Sequence, residues 1–175
     1  LGRDTLARMM AGGRTSIAVG LAAMALSLFF GSFIGVTAGF YKKLDGALMR
    51  FTDLFLSLPL LPLLLVMMLL FREPLSQAYG PERGMFVLIV VSIGITSWMP
   101  TARIVRADVL ALKEREFVLA AKASGTSDTL IILRHIMPNV LSPIMVSATL
   151  GIANGIITES ALSFLGLGFP PDFPT

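Results

Sequence analysis

The sequence has no cysteine, so disulfides and cysteine-based metal sites are excluded. It has one histidine, His135, with no histidine or cysteine partner, which argues against a dedicated zinc site; no HExxH is present either. Charge is scarce. Lys, Arg, Asp and Glu make up 14% of the 175 residues, against about 25% in a soluble domain. So few charges cannot furnish a solvated surface, and with 55% hydrophobic residues the class is integral membrane protein. No GxxxxGK[ST] loop occurs, so the chain has no P-loop cradle for nucleotide phosphates. The net charge of +3 would suggest nucleic acid in a soluble protein. Here the basic residues fall in short connections between apolar runs, so membrane topology is the simpler reading and no nucleic-acid partner is expected. Ten scattered methionines lack metal-site spacing and read as apolar filler.

Four apolar runs are present, each close to the roughly 20 residues a helix needs to cross the hydrocarbon. They lie at about 15–40, 51–71, 85–102 and 140–164, which predicts an all-α, polytopic transmembrane bundle. In the first, Gly31, Gly35 and Gly39 recur every fourth residue and share one helix face. Such a stripe lets a neighbouring helix approach closely, so packing is preferred to a role in a substrate path. Pro59 and Pro62 interrupt the second run, and Asp53, near its start, is expected to pair with Arg50 or another nearby cation. REPLSQAYGPERG reads as a loop. Trp98 sits near one end of the third run, where tryptophan favours the interface. The third helix is expected to continue past Pro100 as an amphipathic extension. Asn154 and Glu159 lie in the fourth run; an acid at membrane depth is a functional candidate by default, although capping or pairing near the outer end is favoured.

Basic residues cluster in the connections at 41–50 and 103–138, whereas 72–84 is balanced. The positive-inside rule puts the first two in the cytoplasm and 72–84 and 165–175 outside. Arg3, Arg8 and Arg14 argue weakly the other way. The sequence begins at Leu1 and ends in a loop-like stretch, which suggests a fragment.

The segment at about 113–138 is the unusual one. KEREFVLAAKAS has high helix propensity, and Phe117, Ala120, Ala121 and Ser124 share a face with one bulky anchor among small residues. Gly125 suits a left-handed helix stop. Thr126, Ser127 and Asp128 offer N-cap oxygens to a second helix, which Pro138 is expected to end. The elbow suits a groove on another protein, and equally suits an amphipathic loop on the membrane surface.

Residues GRDTLARMMAGGRTSIAVG, ARIVRADVLALKEREFVLAAKASG, RHIMPN and ESALSFLGLGFPP carry a resemblance, in order and along nearly the whole chain. The sequence resembles the inner-membrane permease subunits of binding-protein-dependent ABC importers, specifically the C-type subunit of the dipeptide, oligopeptide and nickel group. The family signature is E-A-A, three residues, G, nine residues, I, one residue, L-P. This chain has Leu119-Ala120-Ala121, Gly125, His135 and Met137-Pro138 at those positions. Leu119 departs from the family Glu, and Glu116 lies one turn away.

The resemblance implies a coupling helix, with Glu116, Phe117, Ala120, Ala121, Gly125, Ser127, Asp128 and Pro138 meeting a cytoplasmic ATPase. It implies a second homologous permease subunit, two ATPase subunits and an extracytoplasmic substrate-binding protein as partners within the cytoplasmic membrane. No cofactor would bind this chain; Mg-ATP would sit on the partners, which alone hydrolyse it. Peptides or nickel chelates would be the cargo, and one further span would flank each end. The alternative is an ion-gradient-driven secondary transporter, for which an internal repeat and midplane acids are missing. A scaffold without transport is distinguished by whether an ATPase binds the elbow.

Overall fold

The structure is a computed structural model and describes residues 5–169, with side chains from Met9 onward. The expectations for Arg3, for the Arg8 side chain and for the tail beyond Phe169 lie outside the described residues. Among the described residues all regular structure is helical. The order is α1 (Thr5–Phe40), α2 (Lys42–Leu56), α3 (Leu60–Tyr79), α4 (Pro81–Leu112), α5 (Glu116–Ala123), α6 (Asp128–Ile131), a π turn (Ile132–Ile136) and α7 (Met137–Phe164). Four helices are long and apolar enough to cross a membrane: Met9–Phe40, Leu60–Tyr79, Pro81–Leu112 and Asp128–Phe164.

Their limits differ from the apolar runs for local reasons. The second span starts at Leu60, because Pro59 (φ −68°, ψ 118°) is extended and separates it from α2. It runs to Tyr79, so most of the stretch read as a loop is helix, with Pro74 inside it. The connection to α4 shrinks to Gly80, whose φ of +84° suits glycine. Pro81 then opens α4, where a missing N–H costs nothing. Pro100 stays within α4, which continues to Leu112.

Pro138 does not end a helix either. It lies in the first turn of α7, immediately after the π turn, in which Met137 N–H bonds to Ile132 O. A proline cannot donate to the carbonyl four residues back and crowds it. The wider i→i+5 turn accommodates this and lets the helix run on.

The chain divides into two compact units. One comprises residues up to Ser27, Leu58–Ser97 and Thr149 onward. Its core joins Val19 and Ala23 of α1, Leu64 and Met68 of α3, Met85, Leu88, Ile89 and Ile93 of α4, and Leu162 of α7. There α1 and α7 approach closely: a Cβ on Gly20 would lie 3.2 Å from Ile152 O, and one on Gly155 would lie 3.6 Å from Gly20 Cα. Much of the outward surface is apolar. Leu69, Leu70 and Leu150 are each more than three-fifths exposed, as lipid-facing positions permit.

The other unit comprises Leu28–Ser57 and Trp98–Ala148. Its core joins Val36, Val105, Val109, Val118, Ile131, Ile136, Val140 and Ile144. Gly31, Gly35 and Gly39 are all buried against α4. A Cβ at each would meet the carbonyl of Trp98 (2.8 Å), Ala102 (2.6 Å) and Arg106 (3.0 Å) in turn, so the stripe is where two backbones touch. Trp98 is buried within the protein: it packs with Met99 and Ala102, and Phe51 and Phe55 of α2 cover it at ring distances of 6.2 Å.

Two ion pairs tie α2 to α4. Asp53 pairs with Arg103, not with Arg50, and is half exposed, so this bridge is worth at most about 1 kcal/mol. Asp45 takes both Arg106 Nε and, at 2.6 Å, Arg106 Nη2, a two-pronged pair that fixes orientation. These hydrogen bonds hold the Asp45 carboxyl below its ordinary 3.8, against an opposing effect of burial; attraction from Arg106 and Lys113 adds to the lowering. The unfolded chain therefore takes up the Asp45 proton at higher pH than the folded one. The pair's contribution is complete above the unfolded value and is lost as pH falls through the lower folded value. In thermal unfolding of the full-length chain, wild type should exceed Asp45→Asn by a constant margin above about pH 5, narrowing below about pH 4. A margin that ignores pH across that window would rule out the assignment.

Candidate functional site

The elbow grows out of three short-range choices. Arg115 is extended (φ −73°, ψ 146°) and starts α5, with Glu116 in its first turn and Lys122 in its last, each at the favourable end of the helix dipole. At its end Gly125 takes φ +77°. Thr126 N–H then bonds to Ala121 O at 3.1 Å and Gly125 N–H to Lys122 O at 3.0 Å, the paired bonds of a Schellman stop. Ser127 is the N-cap residue of α6 by backbone geometry, but its hydroxyl makes no capping bond.

Packing decides which face is free. Val118 is fully buried and Ala121 packs against the same cluster, together with Ile131 and Ile136 beyond the turn. Ala121 thus belongs to the anchored side. Glu116, Phe117, Ala120, Gly125, Ser127, Asp128 and Pro138 are exposed. The elbow is tied to the end of α1 by Lys113, whose Nζ donates to Gly39 O at 3.0 Å, and by the Lys122 ammonium 5.2 Å over the Phe40 ring. His135 is half-buried, with its ring 6.2 Å from that of Phe117.

Three further large apolar side chains of the elbow are exposed. Leu119, Leu130 and Leu133 are 47%, 46% and 63% exposed beside Phe117 at 44%. Leu119 stands where the family has Glu, so its value as an apolar contact was hidden by the comparison with the signature. Leu130 and Leu133 lie in an apolar run whose helical period is broken by the π turn. Phe117 and Leu119, two residues apart on α5, point to different sides, so the elbow offers a partner exposed apolar groups on more than one side of a charged segment between spans.

The other polar candidates lie elsewhere. Glu159 is 1% exposed. Its Oε2 accepts from Ser16 Oγ at 3.0 Å and its Oε1 from Ser163 Oγ at 2.8 Å, so the acid joins α1 to α7. Asn154 is exposed on α7, and its carbonyl accepts from Thr158 Oγ1 at 2.8 Å. Neither is near the elbow in sequence, and they belong to the first unit, the elbow to the second. Among the described residues no group of three acidic, histidine or cysteine side chains could hold a metal ion.

Comparison with known proteins places this geometry in context. Residues 27–171 match the family model described as binding-protein-dependent transport system inner membrane component. The chain is 39% identical over 171 residues to the oligopeptide transport system permease protein OppC of Bacillus subtilis, covering 97% of this chain and 52% of that protein. It is 36% identical over 174 residues to the dipeptide transport system permease protein DppC of Alkalihalophilus pseudofirmus, covering 99% and 54%. Against OppC of Haemophilus influenzae the identity is 39% over 168 residues, covering 95% and 50%. The chain thus spans about half the length of the curated relatives it matches.

Proposed function

We propose that this chain, which belongs to the family of binding-protein-dependent transport system inner membrane components, is part of a permease subunit that carries peptides across the membrane on power supplied by a partner ATPase. The observation that carries the reading is the elbow. Phe117, Leu119, Leu130 and Leu133 stand exposed on a segment held to the spans by Val118, Ala121, Ile131 and Ile136. A partner that closes on this face moves the segment. Through Lys113 on Gly39 O and the shared core, that movement reaches α1 and α4.

Peptides are the proposed cargo because the relatives are named for oligopeptide and dipeptide transport. The pathway is completed by a second permease subunit. Two cytoplasmic ATPases bind and hydrolyse Mg-ATP, and a substrate-binding protein delivers cargo on the opposite side. The elbow faces the cytoplasm, as its positive charge favours.

Crosslinking from single cysteines tests the docking. Ala120 and Ser127 are the sites to use, since both are exposed whereas Ala121 faces the core. In the full-length chain co-expressed with its candidate ATPases, both positions should crosslink to an ATPase, with yields that change on adding ATP. An inserted, folded chain that yields no such product from either site would remove the ATP-driven reading and return attention to ion coupling.

A further inference from the structure

Between two spans lies a helix that the transport reading does not use. α2 is separated from α1 by the single residue Tyr41 and finishes shortly before α3. At 15 residues it is shorter than the roughly 20 a crossing requires.

Its sides divide by helical period. Asp45, Leu48, Thr52 and Phe55 face inward, where Thr52 is buried and Asp45 and Phe55 meet Arg106 and Trp98. A second side carries Leu44, Ala47 and Leu54, all exposed, with Leu54 at 59%, and is bounded by Phe51, which stacks on Trp98 and keeps 49% of its surface free. The remaining edge carries Lys42, Lys43 and Arg50, also exposed. Both acids of α2 are already taken, Asp45 by Arg106 and Asp53 by Arg103. The three cations have no ion-pair partner among the described residues. The free charge of α2 is therefore entirely positive, beside an uncovered apolar strip.

We infer that α2 is an interfacial helix that binds anionic lipid: Leu44 and Leu54, with the open edge of Phe51, enter the acyl layer while Lys42, Lys43 and Arg50 engage the phosphate headgroup. A soluble protein partner would leave the hydrocarbon strip to be matched by chance, whereas one lipid molecule supplies both chemistries together. The anionic headgroup supplies the opposite charge that this edge lacks within the chain. The inference rests on the spans and on α2 alone, and it stands or falls separately from the identity of the cargo or the ATPase.

The test uses the full-length chain with Ala47→Cys as a fluorophore site, in phosphatidylcholine vesicles containing phosphatidylglycerol as minor component. Bromine is placed on one lipid or the other. Per mole of bromolipid, phosphatidylglycerol should quench more strongly by about fivefold or more, the preference that a single surface cation confers. Lys42→Gln, Lys43→Gln and Arg50→Gln together should bring the ratio close to unity. Because removing three cations can also change chain orientation, salt titration of the unaltered cations gives a second reading, in which screening should shrink the ratio. Equal quenching by both lipids at low salt would overturn the inference. So would negligible quenching by either, which would mean that protein covers the strip, or a ratio indifferent to both salt and the Gln substitutions.

Discussion

Gly125→Pro should abolish the proposed peptide transport by the assembled full-length complex while membrane insertion stays at the wild-type level. The left-handed φ of +77° at this position is out of reach of proline, whose ring fixes φ near −65°. Proline also removes the N–H that donates to Lys122 O at 3.0 Å, so both the turn and one of its closing bonds fail together. An added Cβ here meets no atom within 4 Å. Crowding is therefore not the cause, and the substitution isolates backbone geometry. That predicts a graded series. Gly125→Asn, which tolerates the left-handed region, keeps most transport; Gly125→Leu, which is penalised there by about 1–2 kcal/mol, falls between. Peptide uptake and ATPase stimulation in proteoliposomes give the readout. A Gly125→Pro complex that moves peptide at the wild-type rate would refute the role given to the elbow.

The second large effect lies in the membrane. Gly35→Leu should lower the thermal midpoint of the purified full-length chain sharply, because its first added atom would sit 2.6 Å from Ala102 O and 2.8 Å from Val105 Cβ. Neither neighbour is the movable tip of a flexible side chain, so α1 and α4 must separate. Overpacking of this kind costs about 3 kcal/mol, and in lipid there is little hydrophobic drive to restore the contact. Gly46 supplies the control. It lies in α2 with nothing within 4 Å of a Cβ, and Gly46→Ala should stabilise the helix by about 0.5–1 kcal/mol. Equal midpoints for Gly35→Leu and wild type would show that the stripe is not a packing seam.

The features that were legible in the sequence are those written locally. Span-length apolar runs follow from composition, and Gly125 follows from one residue type at the end of one helical pattern. Features that depend on distant partners were hidden. Asp53 finds Arg103, 50 positions along, rather than Arg50 on its own helix, because no short-range rule reports which helix will lie alongside. Trp98 is covered by Phe51 and Phe55 for the same reason. The stretch 72–79 reads as a loop because Arg72, Glu73 and Pro74 are usual loop residues, yet α3 runs through them with Pro74 inside it. At the elbow, the side carrying small residues was visible, but which of them faces the core was not. Val118, fully buried, determines that orientation, and it draws Ala121 inward.

The π turn has a consequence for phase. Buried residues before and after it fall at Ile131, Ile136, Val140 and Ile144, so the first interval is five residues and the next two are four. In an unbroken α-helix a five-residue step advances the stripe by about 100° beyond the four-residue step. Here the wider turn absorbs that rotation, and all four side chains join one core cluster. Residues 132–136 thus hold one residue more than the stripe needs: deleting one of them would let a plain α-helical turn close with the stripe still aligned, whereas winding all five into α geometry would turn everything on one side of it to face a different direction.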